Sequence, residues 1–196
     1  GQEIVLDLNG CTLTNSGTNT IVNNGTLTVT GNGKVDNTVH QGAALQNNGK
    51  ATLENGTFTR SKEAGKDDNA NGNSWYVIDN SGTLTLKDVT VYQGTDAENA
   101  LQWTFSSTIR NKGASAEQMA VMEVDGATVV SGRIALKNDD WGKMTIADAN
   151  VTGGNQAVQN WAQLEINGGT FAGDVVTWFY AIPGSEPETR THATIT

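Results

Sequence analysis

The chain has one cysteine, Cys11, two prolines and two histidines among its 196 residues. A lone thiol excludes an internal disulfide, so the fold has to be held by non-covalent contacts. No apolar run approaches the roughly 18 residues that cross a bilayer, and Gly1, Gln2 and Glu3 do not resemble the start of a signal peptide. Membrane insertion is not expected. Cationic residues are scarce too. Twelve Lys and Arg against 21 Asp and Glu leave a net charge of −9 with no basic stripe, which repels a phosphate backbone and removes nucleic acid from the expected partners. Charged residues make up 17% and hydrophobic residues 36% of the chain, too few charges for a charge-rich disordered polymer and too little apolar mass for one thick core. The core has to be thin and repeated.

What is abundant fits that requirement. Gly, Thr and Asn number 23, 26 and 21, more than a third of the chain. Thr suits a pleated strand, while Gly and Asn accept the left-handed conformations of tight corners. An octamer of alternating apolar residues broken by a corner recurs: Leu6 to Leu13 (LDLNGCTL), Leu27 to Val35 with one extra residue (LTVTGNGKV), Ala51 to Phe58, Leu84 to Val91, Met122 to Val129, Met144 to Val151 and Leu164 to Phe171. Upstream of most copies stands an apolar-x-Asn triplet, ending at Asn23, Asn47, Asn80, Asn111, Asn138 and Asn160. A corner residue follows each triplet: Gly25, Gly49, Gly82, Gly113, Gly142 or Ala162. Each repeat therefore supplies about three short strands with no helical period between them, and the economical solution is a coil in which every strand pairs with its equivalent one turn away. The expected fold class is all-β, a single-stranded parallel β-helix of about seven rungs over residues 1–196, with insertions at 60–74 and 92–118. Ala193-Thr194-Ile195-Thr196 reads as the opening half of an eighth octamer, so a longer chain or a neighbouring subunit is expected to cover that end.

The opening EIVLDLNGCTL and the units NNGTLTV, NNGKATLENGTF, NSGTLTLKDVTV and LEINGGTF resemble the repeats of right-handed β-helix, or pectin-lyase-like, proteins of bacterial surfaces and of phage fibres and capsid-associated proteins. The resemblance covers nearly the whole chain. It implies a right-handed coil, and it leaves function open, because the same scaffold carries lyases, hydrolases, adhesins and tailspikes.

The six Asn residues are expected to form a structural ladder, each at a corner in the left-handed conformation and each passing amide hydrogen bonds to the Asn above and below. Trp141 and Trp161 both precede an octamer by three residues, which predicts that they stand one above the other as a glycan platform or a subunit contact. The second insertion mixes acids with aromatics, and Tyr92, Trp103 and Phe105 are further candidates for glycan or subunit contact. Asp67-Asp68-Asn69, Asp96 with Glu98, and Asp139-Asp140 offer oxygen atoms but match no calcium motif, so neither metal nor cofactor is expected. An apolar stretch from Val175 through Trp178 and Phe179 to Ile182 is expected to cap the core or form an intermolecular seam.

For catalysis, a polysaccharide lyase needs a cation and a strong base, and Arg133, Lys137, Asp139 and Asp140 come closest, with Arg133 and Lys137 expected on one face of a strand. A hydrolase needs two or three carboxylates around the scissile bond, and His40 and His192 have no Ser or Cys in an activating arrangement. The catalytic constellation is incomplete, so no enzyme activity is expected. The expected function is a non-catalytic structural or attachment module on an extracellular surface, first a virion component such as a fibre or capsid-decorating protein. The alternatives are a bacterial cell-surface adhesin module that binds glycans and a polysaccharide lyase or hydrolase. Expected partners are copies of itself, other structural subunits and surface glycans.

Overall fold

The computed structural model describes residues 3–15, 17–39, 41–61, 75–102, 106–178 and 192–196. The structural findings below concern these residues. Trp103, Phe105, His40, Asp67-Asp68-Asn69, most of the 60–74 insertion and Phe179 to Ile182 lie outside them.

Three series of strands follow one another along the chain. The first contains Glu3–Asp7, Thr26–Thr30, Lys50–Glu54, Thr83–Lys87, Gln163–Ile166 and His192–Ile195, with the opening parts of the longer strands Ala120–Ser131 and Gly142–Asn160. The second contains Thr12–Asn15, Lys34–Asn37, Thr57–Arg60 and Thr90–Gln93, with the later part of Ala120–Ser131, the middle of Gly142–Asn160 and the opening of Thr170–Thr177. The third contains Ile21–Asn23, Leu45–Asn47, Ile78–Asn80, Ser107–Asn111 and Ile134–Asn138, with the closing parts of Gly142–Asn160 and of the strand Thr170–Thr177. Members of a series pair with one another, in parallel and in register, as in Ala51 with Leu84, Val91 with Val129, and Ile78 with Ile109. Among the described residues every strand pairing is parallel. A chain that visits the three series in rotation while pairing each strand only within its own series has to curl its sheet strongly, and the result is all-β and consistent with a parallel β-helix. The single helical element described is a 3₁₀ turn at Ala100–Gln102.

Side chains alternate across the strands, so one face of each series points inward. In Thr26–Thr30, Leu27 and Val29 are buried between partly exposed threonines. The inward positions stack into one continuous apolar cluster containing Leu27, Ala51, Leu84, Met122, Met144 and Leu164, which share a column by register. Burying each Leu or Met of this column stabilises by about 2 kcal/mol, and Ala51 contributes less. At the two ends the same columns are open: Ile4 and Leu13 are 53% and 37% exposed and Ile195 is 65% exposed. The register places Ala193 with Leu164 and Ile195 with Ile166, in phase with the octamer.

The first octamer is shifted relative to expectation. Ile4 pairs with Leu27 and Leu6 with Val29, so the unit runs from Ile4 to Leu13, and the extra apolar residue, Leu8, is buried at the corner. Two stretches within 92–118 are regular strand, Tyr92–Gln93 and Ser107–Asn111. Among the described residues, 94–99, 106 and 112–119 are irregular, and Ala100–Gln102 forms the 3₁₀ turn. The 112–119 stretch displaces the corner residue, because Val121 rather than a residue near Gly113 pairs with Thr83; the equivalent of Gly82 is therefore Ala120, and Gly113 opens a loop.

The six Asn residues are not left-handed. Positive φ occurs at Asn9, Gln41, Asn55, Asp88 and Trp141 among the described non-glycine residues, whereas the six Asn residues end strands. The reason is that their corner is closed by side-chain amides, so the backbone has no need to leave the extended region.

Candidate functional site

Each Asn of the third series is flanked by two outward residues, and register aligns these into two neighbouring columns. The residue before Asn gives Val22, Gln46, Asp79, Arg110, Lys137 and Gln159, and Val176, which precedes Thr177, continues the column. The residue after it gives Asn24, Asn48, Ser81, Lys112, Asp139 and Trp161, continued by Trp178 after Thr177, and from Asn48 onward the backbone N–H groups each donate to the carbonyl of the Asn (Asn23 to Asn160) one turn earlier. Together they make a polar and aromatic strip along the axis of the coil.

The strip rests on the Asn ladder. Asn23 Nδ2 donates to Asn47 Oδ1 at 2.7 Å, Asn47 to Asn80 at 2.7 Å, Asn80 to Asn111 at 2.7 Å, Asn111 to Asn138 at 2.9 Å and Asn138 to Asn160 at 2.8 Å. Every one of the six is buried. The same amides close the corner: Asn80 Oδ1 accepts from Gly82 N–H at 3.2 Å and Asn160 Oδ1 from Ala162 N–H at 3.1 Å. They also bond the next turn, as when Asn47 Nδ2 donates to the Thr83 carbonyl at 2.9 Å. In the following turn Thr177 pairs with Asn160, and its hydroxyl stands 3.5 Å from Asn160 Nδ2.

Above this base the strip is tied together in patches. Arg110 forms a two-pronged ion pair with Asp79, Nε to Oδ1 at 2.8 Å and Nη2 to Oδ2 at 2.7 Å, and its guanidinium lies 4.3 Å from the centre of the Tyr76 ring. Burial works against the charge on Arg110, but the hydrogen bond and field of Asp79 outweigh it and hold the guanidinium above its usual range. Lys137 pairs with Asp139 at 3.0 Å, and Lys112 lies 3.9 Å from Asp140. Trp161 Nε1 donates to Gln159 Oε1 at 3.1 Å, and Gln159 Nε2 donates to Gln156 Oε1 at 2.8 Å.

The stacked indoles are Trp161 and Trp178, with centroids 5.7 Å apart and planes inclined by 17°. They occupy the same column on successive turns. Trp141 lies elsewhere in the repeat: four residue steps separate Asn138 from Gly142, against two from Asn160 to Ala162, and Trp141 takes a left-handed φ of 56° in that longer corner. Asp139, not Trp141, is the positional equivalent of Trp161. The signal that pairs Trp161 with Trp178 is present in the sequence as Asn160-Trp161 and Thr177-Trp178, once Val175-Val176-Thr177 is read as another triplet.

Tyr92, expected at a contact surface, is only 5% exposed; it sits in strand between Thr59 and Val130, its partners in register. Arg133 is exposed and precedes the strand Ile134–Asn138 instead of sharing a strand face with Lys137. Its carbonyl accepts from Asn155 and Gln156 N–H at 2.9 Å. Asp96 accepts from the Asn99 backbone at 2.8 Å and from Thr95, which keeps its carboxyl below the usual range.

One cleft of about 630 Å³ opens on the strip. Asn48, Ser81 and Lys112 supply one side from three successive turns, and Gly113, Ala114, Gln118 and Met119 supply the other from the 112–119 loop. The loop is held by its own bonds, Ala114 N–H to the Gln118 carbonyl at 2.9 Å and Gln118 N–H to the Ser115 carbonyl at 3.1 Å. Its place was not foreseeable from composition, because the lining comes from positions 48 to 119 and only register brings them together.

No protein-family model, no curated protein and no solved structure matches this chain. The strip and its cleft therefore have to be read from their own chemistry.

Proposed function

We propose that the chain is a non-catalytic structural and attachment module, a right-handed β-helix of about seven turns akin to the pectin-lyase-like repeats, exposed on the surface of a virion as part of a fibre or a capsid-decorating layer. One observation carries this reading: the polar side chains along the strip are largely engaged with one another, across turns in the Asn ladder and the Asp79–Arg110 pair and within one turn in the Lys137–Asp139 pair. Groups held in this way stiffen a rod and are poorly placed to move protons or attack a substrate. Of the candidate lyase set, Arg133 precedes the strand Ile134–Asn138 that carries Lys137, while Asp139 and Asp140 follow it. Partners in this reading are further copies of the chain or other structural subunits.

A bacterial cell-surface module that binds glycans is the second reading, favoured by the cleft beside Lys112 and by the Trp161–Trp178 pair. The two indoles stack on each other, so a sugar would meet only their edges and outer faces.

The test is the native molar mass of the protein isolated from its source, measured by light scattering on the intact assembly. A mass far above 20.7 kDa supports the structural reading. A free monomer that cleaves pectin or alginate to unsaturated uronates, and loses that activity on Asp139→Asn, overturns it.

A further inference from the structure

Most polar groups of the strip are paired with a neighbour, but several are not, and they meet in the cleft. The Ser81 hydroxyl and the Gln118 carboxamide make no hydrogen bond to the described residues. Asn48 donates its amide to Asn24 at 2.9 Å and keeps its Oδ1. Lys112 has Asp140 at 3.9 Å, with its side chain 42% exposed, a pairing too long and too wet to hold the ammonium. No carboxylate is among the lining residues. In a chain of net charge −9, a cleft with one ammonium, a hydroxyl and two carboxamides is suited to an acidic, hydroxylated ligand. Asn48, Ser81 and Lys112 are one strand spacing apart, so they span about 10 Å, the width of one substituted pyranose. Ala114 and Met119 add an apolar wall beside these polar groups.

We propose that this cleft binds a single acidic sugar residue carrying both a carboxylate and an N-acyl group. Lys112 pairs with the carboxylate. Ser81, Asn48 and Gln118 bond the hydroxyls and the amide, and the acyl methyl packs on Met119 and Ala114. The proposal rests on the attachment reading, for which it supplies a recognition contact, and the cleft is distinct both from the Trp141 and Trp161 pair that the sequence pointed to and from the stacked indoles of Trp161 and Trp178.

The test uses the whole chain and N-acetylneuraminic acid as the probe, with glucuronic acid (a carboxylate without the acyl group) and N-acetylglucosamine (the acyl group without the carboxylate) as comparators. Titration followed by amide NMR is expected to show saturable shifts at Ser81, Lys112, Gly113 and Gln118, with each comparator about tenfold weaker, the effect of losing one charged or well-packed contact. Lys112→Ala is expected to weaken the probe at least about tenfold and to leave N-acetylglucosamine unchanged, whereas Met119→Ala weakens the probe and N-acetylglucosamine alike. Urea midpoints within error of the parent show that both variants fold. Absence of saturable binding, equal affinity for glucuronic acid, or full affinity in Lys112→Ala overturns the proposal. If the protein is found in a large assembly yet the probe does not bind, the cleft is refuted and the attachment reading stands; if the probe binds to a protein that is a free monomer at source, the cleft stands and the attachment reading falls.

Discussion

Two corners of the same coil solve the same problem by different means. Where the third strand series meets the first, the chain turns on a buried side chain: an Asn amide bonds its own corner, the Asn of the next turn and that turn's backbone. Where the first series meets the second, the chain turns on its backbone, through left-handed residues at Asn9-Gly10, Gly31, Asn55-Gly56, Asp88, Gly126 and Gly169. The side-chain corner demands one residue type, and six of its positions are Asn. The backbone corner asks only for a conformation, so it accepts Asn, Asp or Gly and absorbs extra residues in the first two turns. Residue identity is fixed where chemistry closes the corner and relaxed where geometry does.

The contrast can be broken most severely at Asn80. Asn80→Leu removes a side chain that bonds Asn47, Asn111, Gly82 and Val121, stranding several buried partners, and is expected to cost about 4 kcal/mol. Urea unfolding followed by circular dichroism measures it, and an unchanged midpoint in both Asn80→Leu and Asn111→Leu refutes the ladder. Gly82→Val attacks the same corner sterically, since even a Cβ on Gly82 would overlap the Gly49 carbonyl oxygen; about 3 kcal/mol is expected from the same titration. Asp79→Ala tests whether the outer strip contributes beyond the ladder. It leaves Arg110 beside Tyr76 without its carboxylate, and a loss of about 2 kcal/mol is expected because the pair is only partly desolvated.

Smaller effects belong to the other corner. Asn55→Ala forces an alanine into φ of 64° and should cost about 1 kcal/mol, while Asn55→Gly should be close to neutral. A loss in Asn55→Ala as large as that in Asn80→Leu would erase the distinction between the corners. Lys87→Ala marks the floor, because its bond to Glu54 at 3.4 Å joins two exposed side chains and is worth about 0.5 kcal/mol or less.

These differences also explain what could be read from sequence. The strand pattern and the Asn phase were legible because inward positions repeat by type: Leu84, Met122, Met144 and Leu164 share a column, as do Asn80, Asn111 and Asn138. The phase of the first turn was not, since Ile4, Leu6 and Leu8 alternate without a break and a slip by two keeps every apolar residue on the same face. Only the partner strand decides, and it selects Ile4 for Leu27. Corner length misled in a similar way. Counting back from the octamer aligns Trp141 with Trp161, whereas counting forward from Asn aligns Asp139 with Trp161 and reveals Trp178 as the stacking partner. The cleft was illegible for a different reason: Ser81 and Lys112 are ordinary residues until the 112–119 loop overhangs them.

Parallel pairing between successive turns has a mechanical corollary. Tension between the chain's two ends would peel turns away one at a time, each holding until its own bonds to the next turn fail. The turns differ in contour: 33 residues separate Ala51 from Leu84, 38 separate Leu84 from Met122, and 20 separate Met144 from Leu164. Their release would lengthen the chain by about 110, 130 and 70 Å at roughly 3.4 Å per residue. The uneven insertions thus set the two longest turns apart from the rest under load, so a single-molecule pulling trace would report when each of them yields without any label.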